Sequence, residues 1–99
     1  MGVDELLRAE REHIRALAAR HGARNVRVFG SVARGEAGPD SDVDFLVDME
    51  AGRSLLDLVA FWQDLEELLG REVDVITEGG LSPHLRRSIQ RFGLVLPLN

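Results

Sequence analysis

The sequence predicts an α/β (α+β) fold, a small mixed β-sheet packed by helices, and three observations carry that reading. Two long stretches repeat apolar residues every three or four positions. Short runs rich in β-branched residues, "NVRVFG", "DVDFLVDM" and "EVDVIT", fall between and after them. Glycines close both helical stretches. The resulting order is helix, strand, short helix, strand, helix, strand, helix, and alternation of this kind favours a sheet covered by helices.

Each element has its own justification. Asp4 to Arg20 reads as one helix, with Asp4 as its cap, Leu7, Ile14, Leu17 and Ala18 near one face, and Gly22 as its stop. "NVRVFG" sets Val26, Val28 and Gly30 against Arg27 and Phe29, which is the period of a strand. "SVARGEAG" can hold a short helix begun by Ser31, and "PDS" is a turn before the strand "DVDFLVDM". Ser54 starts the longest helical pattern, in which Leu55, Leu58, Val59, Trp62, Leu65 and Leu69 repeat before Gly70 ends it. "EVDVIT" is a third strand. Ser82 and Pro83 stand where a cap and first helical residue belong, with Leu85, Ile89 and Phe92 along one face. "LVLPLN" can add an edge strand ended by Pro97.

The 99 residues form one domain, 1–99, with room for one modest core. There is no cysteine, so disulfides, thiolate zinc sites and cysteine nucleophiles are excluded. No apolar run reaches membrane-spanning length and no signal peptide opens the chain, so a cytoplasmic protein without a membrane partner is expected. The net charge of −5 argues against non-specific binding to nucleic-acid phosphates. All twelve basic residues are arginine, which removes a P-loop lysine and a Schiff base. Tyrosine is absent, so any chemistry on a tyrosine takes place on another molecule.

Chemistry concentrates between Val28 and Val47. Asp42 and Asp44 are two apart on an expected strand, so both point the same way while Val43, Phe45 and Val47 point to the other face. Two like charges side by side repel, and a divalent cation removes the difficulty. Asp74 lies between Val73 and Val75, where a carboxylate is costly unless compensated. If its strand lies beside that of Asp44, three carboxylates converge, a set able to hold two metal ions for in-line attack at phosphorus. An isolated D-x-D is more often the wet face of a strand, and Asp74 with the preceding Gly-Ser shifts that balance. Asp40 and Asp48 read as solvated residues of a turn and a strand end. Gly30 allows close backbone approach to a ligand, free N–H groups at a helix start suit a phosphate, and Ser31 and Arg34 can add donors. Taken alone, that turn is an ordinary capped turn. "GSVARGEA" fails as a P-loop because Glu36 and Ala37 stand where Lys and Ser or Thr are needed. "DSDVDF" fails as a calcium loop because Phe45 replaces its glycine and Ala51 its final glutamate.

Gly30-Ser31, Arg34-Gly35 and Ser41-Asp42-Val43-Asp44 together resemble the G-S-x-x-R-G…S-D-x-D signature of minimal nucleotidyltransferases, within the DNA polymerase β-like superfamily. The resemblance spans nearly the whole chain. It implies that Gly30, Ser31, Arg34 and Ser41 serve the nucleotide, and that Asp42, Asp44 and Asp74 are the catalytic carboxylates and metal ligands. It further implies Mg²⁺, two ions, with ATP as substrate, and a HEPN-domain toxin as partner, the chain acting as antitoxin by moving AMP onto a toxin tyrosine. Two other readings stay open: an antitoxin that masks its partner stoichiometrically without catalysis, and a nucleotide-sensing regulator without transfer. The small size, which leaves no room for an acceptor pocket, predicts a partner or a homo-oligomer.

Outside this constellation, His13 and His21, eight residues apart, are not a metal pair on one helical turn. His84 is not expected at the nucleotide, and Trp62 belongs to core packing. Arg86, Arg87 and Arg91 make the last helix locally basic, by default a solvated face.

Overall fold

The computed structural model describes residues 3–30, 42–77, 79 and 95–97. The elements run α1 (Val3–Ala9), α2 (Arg11–His21), β1 (Ala23–Phe29), β2 (Val43–Met49), α3 (Leu55–Leu69), β3 (Val73–Thr77) and β4 (Val95–Pro97). The strand order is β3-β2-β1-β4, with β1 antiparallel to both β2 and β4 and β2 parallel to β3. A parallel pair needs a long crossover, and α3 supplies it between β2 and β3. The expected mixed sheet with helices is therefore present, and "LVLPLN" does contribute the edge strand β4. The expected short helix at Ser31 and the helix from Ser82 to Phe92 lie outside the described residues.

One face of the sheet carries the core. Val26 and Val28 of β1, Val43, Phe45 and Val47 of β2, and Val73 and Val75 of β3 pack with Ile14 and Ala18 of α2 and Phe61, Leu65 and Leu69 of α3. Phe45 and Phe61 are fully buried there. Burying such a side chain contributes about 1.5–3 kcal/mol. The opposite face is formed by the alternate residues: Asp44, Leu46 and Asp48 of β2, Arg27 and Phe29 of β1, Asp74 and Ile76 of β3. No described helix is long and apolar enough to cross a membrane.

Three expectations are corrected. The first helix is two helices, because Glu10 leaves helical geometry at φ −98° and ψ 7°. The Glu10 N–H still donates to the Leu6 carbonyl and the Ile14 N–H to the Glu10 carbonyl, so the backbone remains paired across the break. Leu7, Ile14 and Ala18 keep their spacing and all reach the core, so the break leaves no mark on the periodicity. Asp4 falls inside α1 instead of capping it.

The second correction concerns α3. Leu55 is 72% exposed and Val59 38%, while Phe61 is completely buried. The buried stripe is Phe61, Leu65 and Leu69, flanked by Leu58, Trp62 and Leu68. The helix is apolar over so much of its circumference that spacing alone admits two overlapping faces. The expected start and stop both hold: Ser54 precedes the first turn and Gly70 closes the last in the left-handed conformation.

The third lies in β1, which begins at Ala23 and contains a bulge. Its register with β2 slips by one between Arg24 and Arg27, and Asn25 sits at φ +52°. A bulge inserts one residue and resets the alternation. Ala23 and Val26, three apart, consequently both face the core, and Val28 follows. Asn25 suits the site because asparagine tolerates left-handed geometry better than most residues.

Candidate functional site: an acidic strand end

The N-terminal ends of β2 and β3 and the C-terminal end of β1 meet at one end of the sheet. Asp44 pairs in register with Phe29 of β1 on one side and with Asp74 of β3 on the other. Register partners in adjoining strands share a face, so the two aspartates stand side by side on the face opposite α2 and α3. Asp44 is half-buried and Asp74 exposed. Asp42 is exposed and directly precedes β2, separated from Asp44 by the fully buried Val43. The Val43 N–H donates to the Glu72 carbonyl at 3.2 Å, which starts the β2–β3 pairing beside the acidic residues.

Gly30 follows β1 at φ +74°, a conformation that L side chains rarely adopt. A Cβ built on Gly30 would meet the Asp44 Oδ2 atom at 2.6 Å. The missing side chain is thus the space that the Asp44 carboxylate occupies. The close approach expected at Gly30 was to a ligand; the group found against it is the Asp44 carboxylate. Ser31, Arg34 and Ser41 lie outside the described residues.

Magnesium takes hard oxygen ligands, commonly one or two carboxylates completed by waters and phosphates. Adjoining Asp44 and Asp74, the nearby Asp42, and the glycine cradle around Asp44 fit such an ion chemically. Among the described residues no three Asp, Glu or His side chains are gathered into a closed metal-holding cluster. What the chain provides is a strand register that juxtaposes two carboxylates.

Several contributors escaped the sequence reading. Asp48, expected to be solvated, is paired: the Arg27 Nη2 donates to its Oδ1 at 3.1 Å and the Asn25 Nδ2 to its Oδ2 at 3.2 Å. The Arg27 Nε donates to the Asn25 carbonyl at 2.8 Å, so the bulge and the ion pair support each other. His21 is partly buried, 2.6 Å from the Asp64 Oδ2, and links the end of α2 to α3. Trp62 packs against the core as expected, yet its Nε1 also donates to the Val73 carbonyl at 2.5 Å. The Glu66 Oε2 accepts the Val73 N–H at 3.2 Å. Asparagine before a β-branched run was a usable signal for the bulge; nothing local marks Glu66.

Comparison with known proteins agrees with this architecture. Residues 10–95 match the family described as "Nucleotidyltransferase domain". A solved structure called "Structure of putative minimal nucleotidyltransferase" superposes with a TM-score of 0.82 at 52% identity, covering 98% of this chain and 96% of that one. The "Protein adenylyltransferase MntA" of Thermococcus cleftensis is 43% identical over 79 residues, 80% of each chain. A structure called "Crystal structure of the toxin-antitoxin with AMP-PNP" shares the fold, with a TM-score of 0.73 at 20% identity over 90% of this chain and 72% of that one. A parallel β2–β3 pair bearing paired aspartates, a glycine against one of them, and a family match over most of the sequence lead to one conclusion: this chain is an enzyme of the nucleotidyltransferase domain family.

Proposed function

We propose that this nucleotidyltransferase moves AMP from ATP to a hydroxyl of a partner protein, with Asp42, Asp44 and Asp74 as its metal-holding carboxylates. The observation that carries the reading is the register of Asp44 with Asp74, with Gly30 opening space for the Asp44 carboxylate. The kinship with a protein adenylyltransferase supports a protein acceptor. The chain itself has no tyrosine, so a tyrosine acceptor has to come from the partner. The toxin–antitoxin fold neighbour and the sequence signature favour a HEPN-domain toxin in that role.

Bound Mg²⁺ would supply charge neutralisation for the triphosphate and a lowered pKa for the attacking hydroxyl. In the transfer, the acceptor oxygen forms a bond to the α-phosphorus, the bond to the β-phosphate bridge breaks, and the hydroxyl proton and pyrophosphate depart. The contributions of this chain are positional. Asp44 and Asp74 place negative oxygens side by side at one end of the sheet, and Gly30 keeps a methyl group out of that space. Ser31, Arg34 and Ser41 are assigned to the phosphates on the sequence signature.

The test uses ATP labelled at the α-phosphate, Mg²⁺ and, as candidate acceptor, the purified product of the neighbouring gene. Label is expected on the partner with the unmodified chain and at least about a hundredfold less with Asp44→Asn, as for loss of a transition-state charge contact. Equal labelling by the variant would remove Asp44 from the site. A stable complex without any label would instead establish a masking antitoxin.

A further inference from the structure

Among the described residues β3 is an edge strand, so one side of it has no neighbouring strand to pair with. At Val73 two side chains of α3 occupy that role. The Val73 carbonyl accepts from the Trp62 Nε1 at 2.5 Å, and the Val73 N–H donates to the Glu66 Oε2 at 3.2 Å. Both backbone polar groups of one residue are therefore held by a single helix.

The geometry is self-consistent. The N–H and C=O of a strand residue point to the same side, and residues i and i+4 of a helix lie one above the other. Trp62 and Glu66 have that spacing. The Val73 side chain is 3% exposed and anchored in the core. Val73 is thus fixed at three points: side chain, N–H and carbonyl. The next residue is Asp74, the register partner of Asp44.

Resting on the reading of Asp74 as a metal-site carboxylate, we infer that Trp62 and Glu66 are positioning residues that hold Asp74 opposite Asp44 and thereby set the affinity of the site for a divalent cation. Neither side chain bonds to Asp74; they act through the preceding peptide. Groups that orient ligands from behind are commonly worth a factor of ten or more in metal affinity. An edge strand held only by β2 would leave the Asp74 carboxylate a wider range of positions, and a wider range weakens a two-carboxylate site.

The experiment measures Mn²⁺ binding by electron paramagnetic resonance on the purified chain with a non-hydrolysable ATP analogue, together with urea denaturation. Trp62→Phe keeps the ring and removes the donor; Glu66→Met removes the acceptor; Glu66→Gln keeps an oxygen acceptor at the same place. The expected result is Mn²⁺ affinity lowered about tenfold in Trp62→Phe and Glu66→Met, with Glu66→Gln restored to within about twofold. A purely structural role would lower the urea midpoint while leaving Mn²⁺ affinity of the folded protein unchanged, and that outcome overturns the inference. Asp74→Asn separates the two failures. If it loses Mn²⁺ while Trp62→Phe and Glu66→Met keep it, the positioning role is wrong and the ligand assignment stands. If Asp74→Asn binds Mn²⁺ normally, the ligand assignment itself is wrong and the inference goes with it.

Discussion

Gly30 shows how much one missing side chain can decide. Its φ of +74° alone makes Ala unfavourable, by about 1–2 kcal/mol for an L residue in left-handed geometry. The Cβ would also stand 2.6 Å from the Asp44 Oδ2 atom, the end of a side chain that can rotate away. Gly30→Ala is therefore expected to leave a folded protein, slightly less stable in urea, in which the Asp44 carboxylate is displaced. Displacement by about 1 Å at a reacting centre can cost on the order of a hundredfold in rate. The labelled-ATP assay should show that loss, and Gly30→Ala with full transfer activity would mean that Asp44 has no fixed place in the reaction. The glycine and the aspartates were visible in the sequence as a signature. Their mutual contact was not, because fourteen positions of chain separate them and only the Phe29–Asp44 register closes that interval.

Elements contribute through the faces they bury. In α3 the apolar residues outnumber the positions the core can take, and the sheet selects among them. Phe61→Ala should cost about 3–5 kcal/mol of unfolding free energy, whereas Leu55→Gln, at a position 72% exposed, should change it by less than about 0.5 kcal/mol. Chemical denaturation of the two variants distinguishes this face from the one expected on spacing. The start of the same helix carries a pH dependence. The Asp57 carboxylate accepts the Ser54 backbone N–H at 2.8 Å and its hydroxyl at 3.3 Å. The backbone hydrogen bond from Ser54 above all holds the Asp57 pKa below its ordinary value of 3.8; desolvation opposes it, and the Arg53 charge adds a lesser lowering. A carboxylate with a depressed folded-state pKa stabilises the fold above its unfolded-state pKa and loses that contribution as pH falls through the folded-state value. The difference in urea midpoint between the unmodified chain and Asp57→Asn should therefore be largest near neutral pH and shrink below pH 3.8. A difference that stays constant with pH would assign the effect to something other than the carboxylate charge.

At the scale of the whole molecule, the sheet divides labour between its faces. Of the described elements, α2 and α3 cover one face and make the core; the acidic end belongs to the other. Connections among the helices can then be weakened without touching the site. His21 and Asp64 tie α2 to α3 at 2.6 Å, and the His21 ring lies 6.3 Å from the Phe61 ring, centroid to centroid. His21→Ala is expected to lower stability by about 1–3 kcal/mol through loss of a hydrogen bond to a charged group and some packing. Transfer activity of the folded fraction should not change, as measured by the labelled-ATP assay below the unfolding transition. A parallel fall in activity would show that the α2–α3 contact, and not only Trp62 and Glu66, bears on the acidic sheet end.

The sequence by itself determined what is local. Strand alternation put Val43, Phe45 and Val47 on one face and Asp44 on the other, Ser54 and Gly70 bounded α3, and Gly22 ended α2. The order and spacing of Gly30-Ser31, Arg34 and Asp42-Val43-Asp44 pointed to the family. Tertiary structure alone decided which strands adjoin, and hence that Asp74 stands beside Asp44. It also decided that a bulge at Asn25 returns Val26 and Val28 to the core, and that Trp62 and Glu66 hold the peptide before Asp74. The division has a physical cause. Periodicity and capping arise from neighbours within a few residues, whereas strand order, register and edge contacts are settled by packing between segments far apart in the chain.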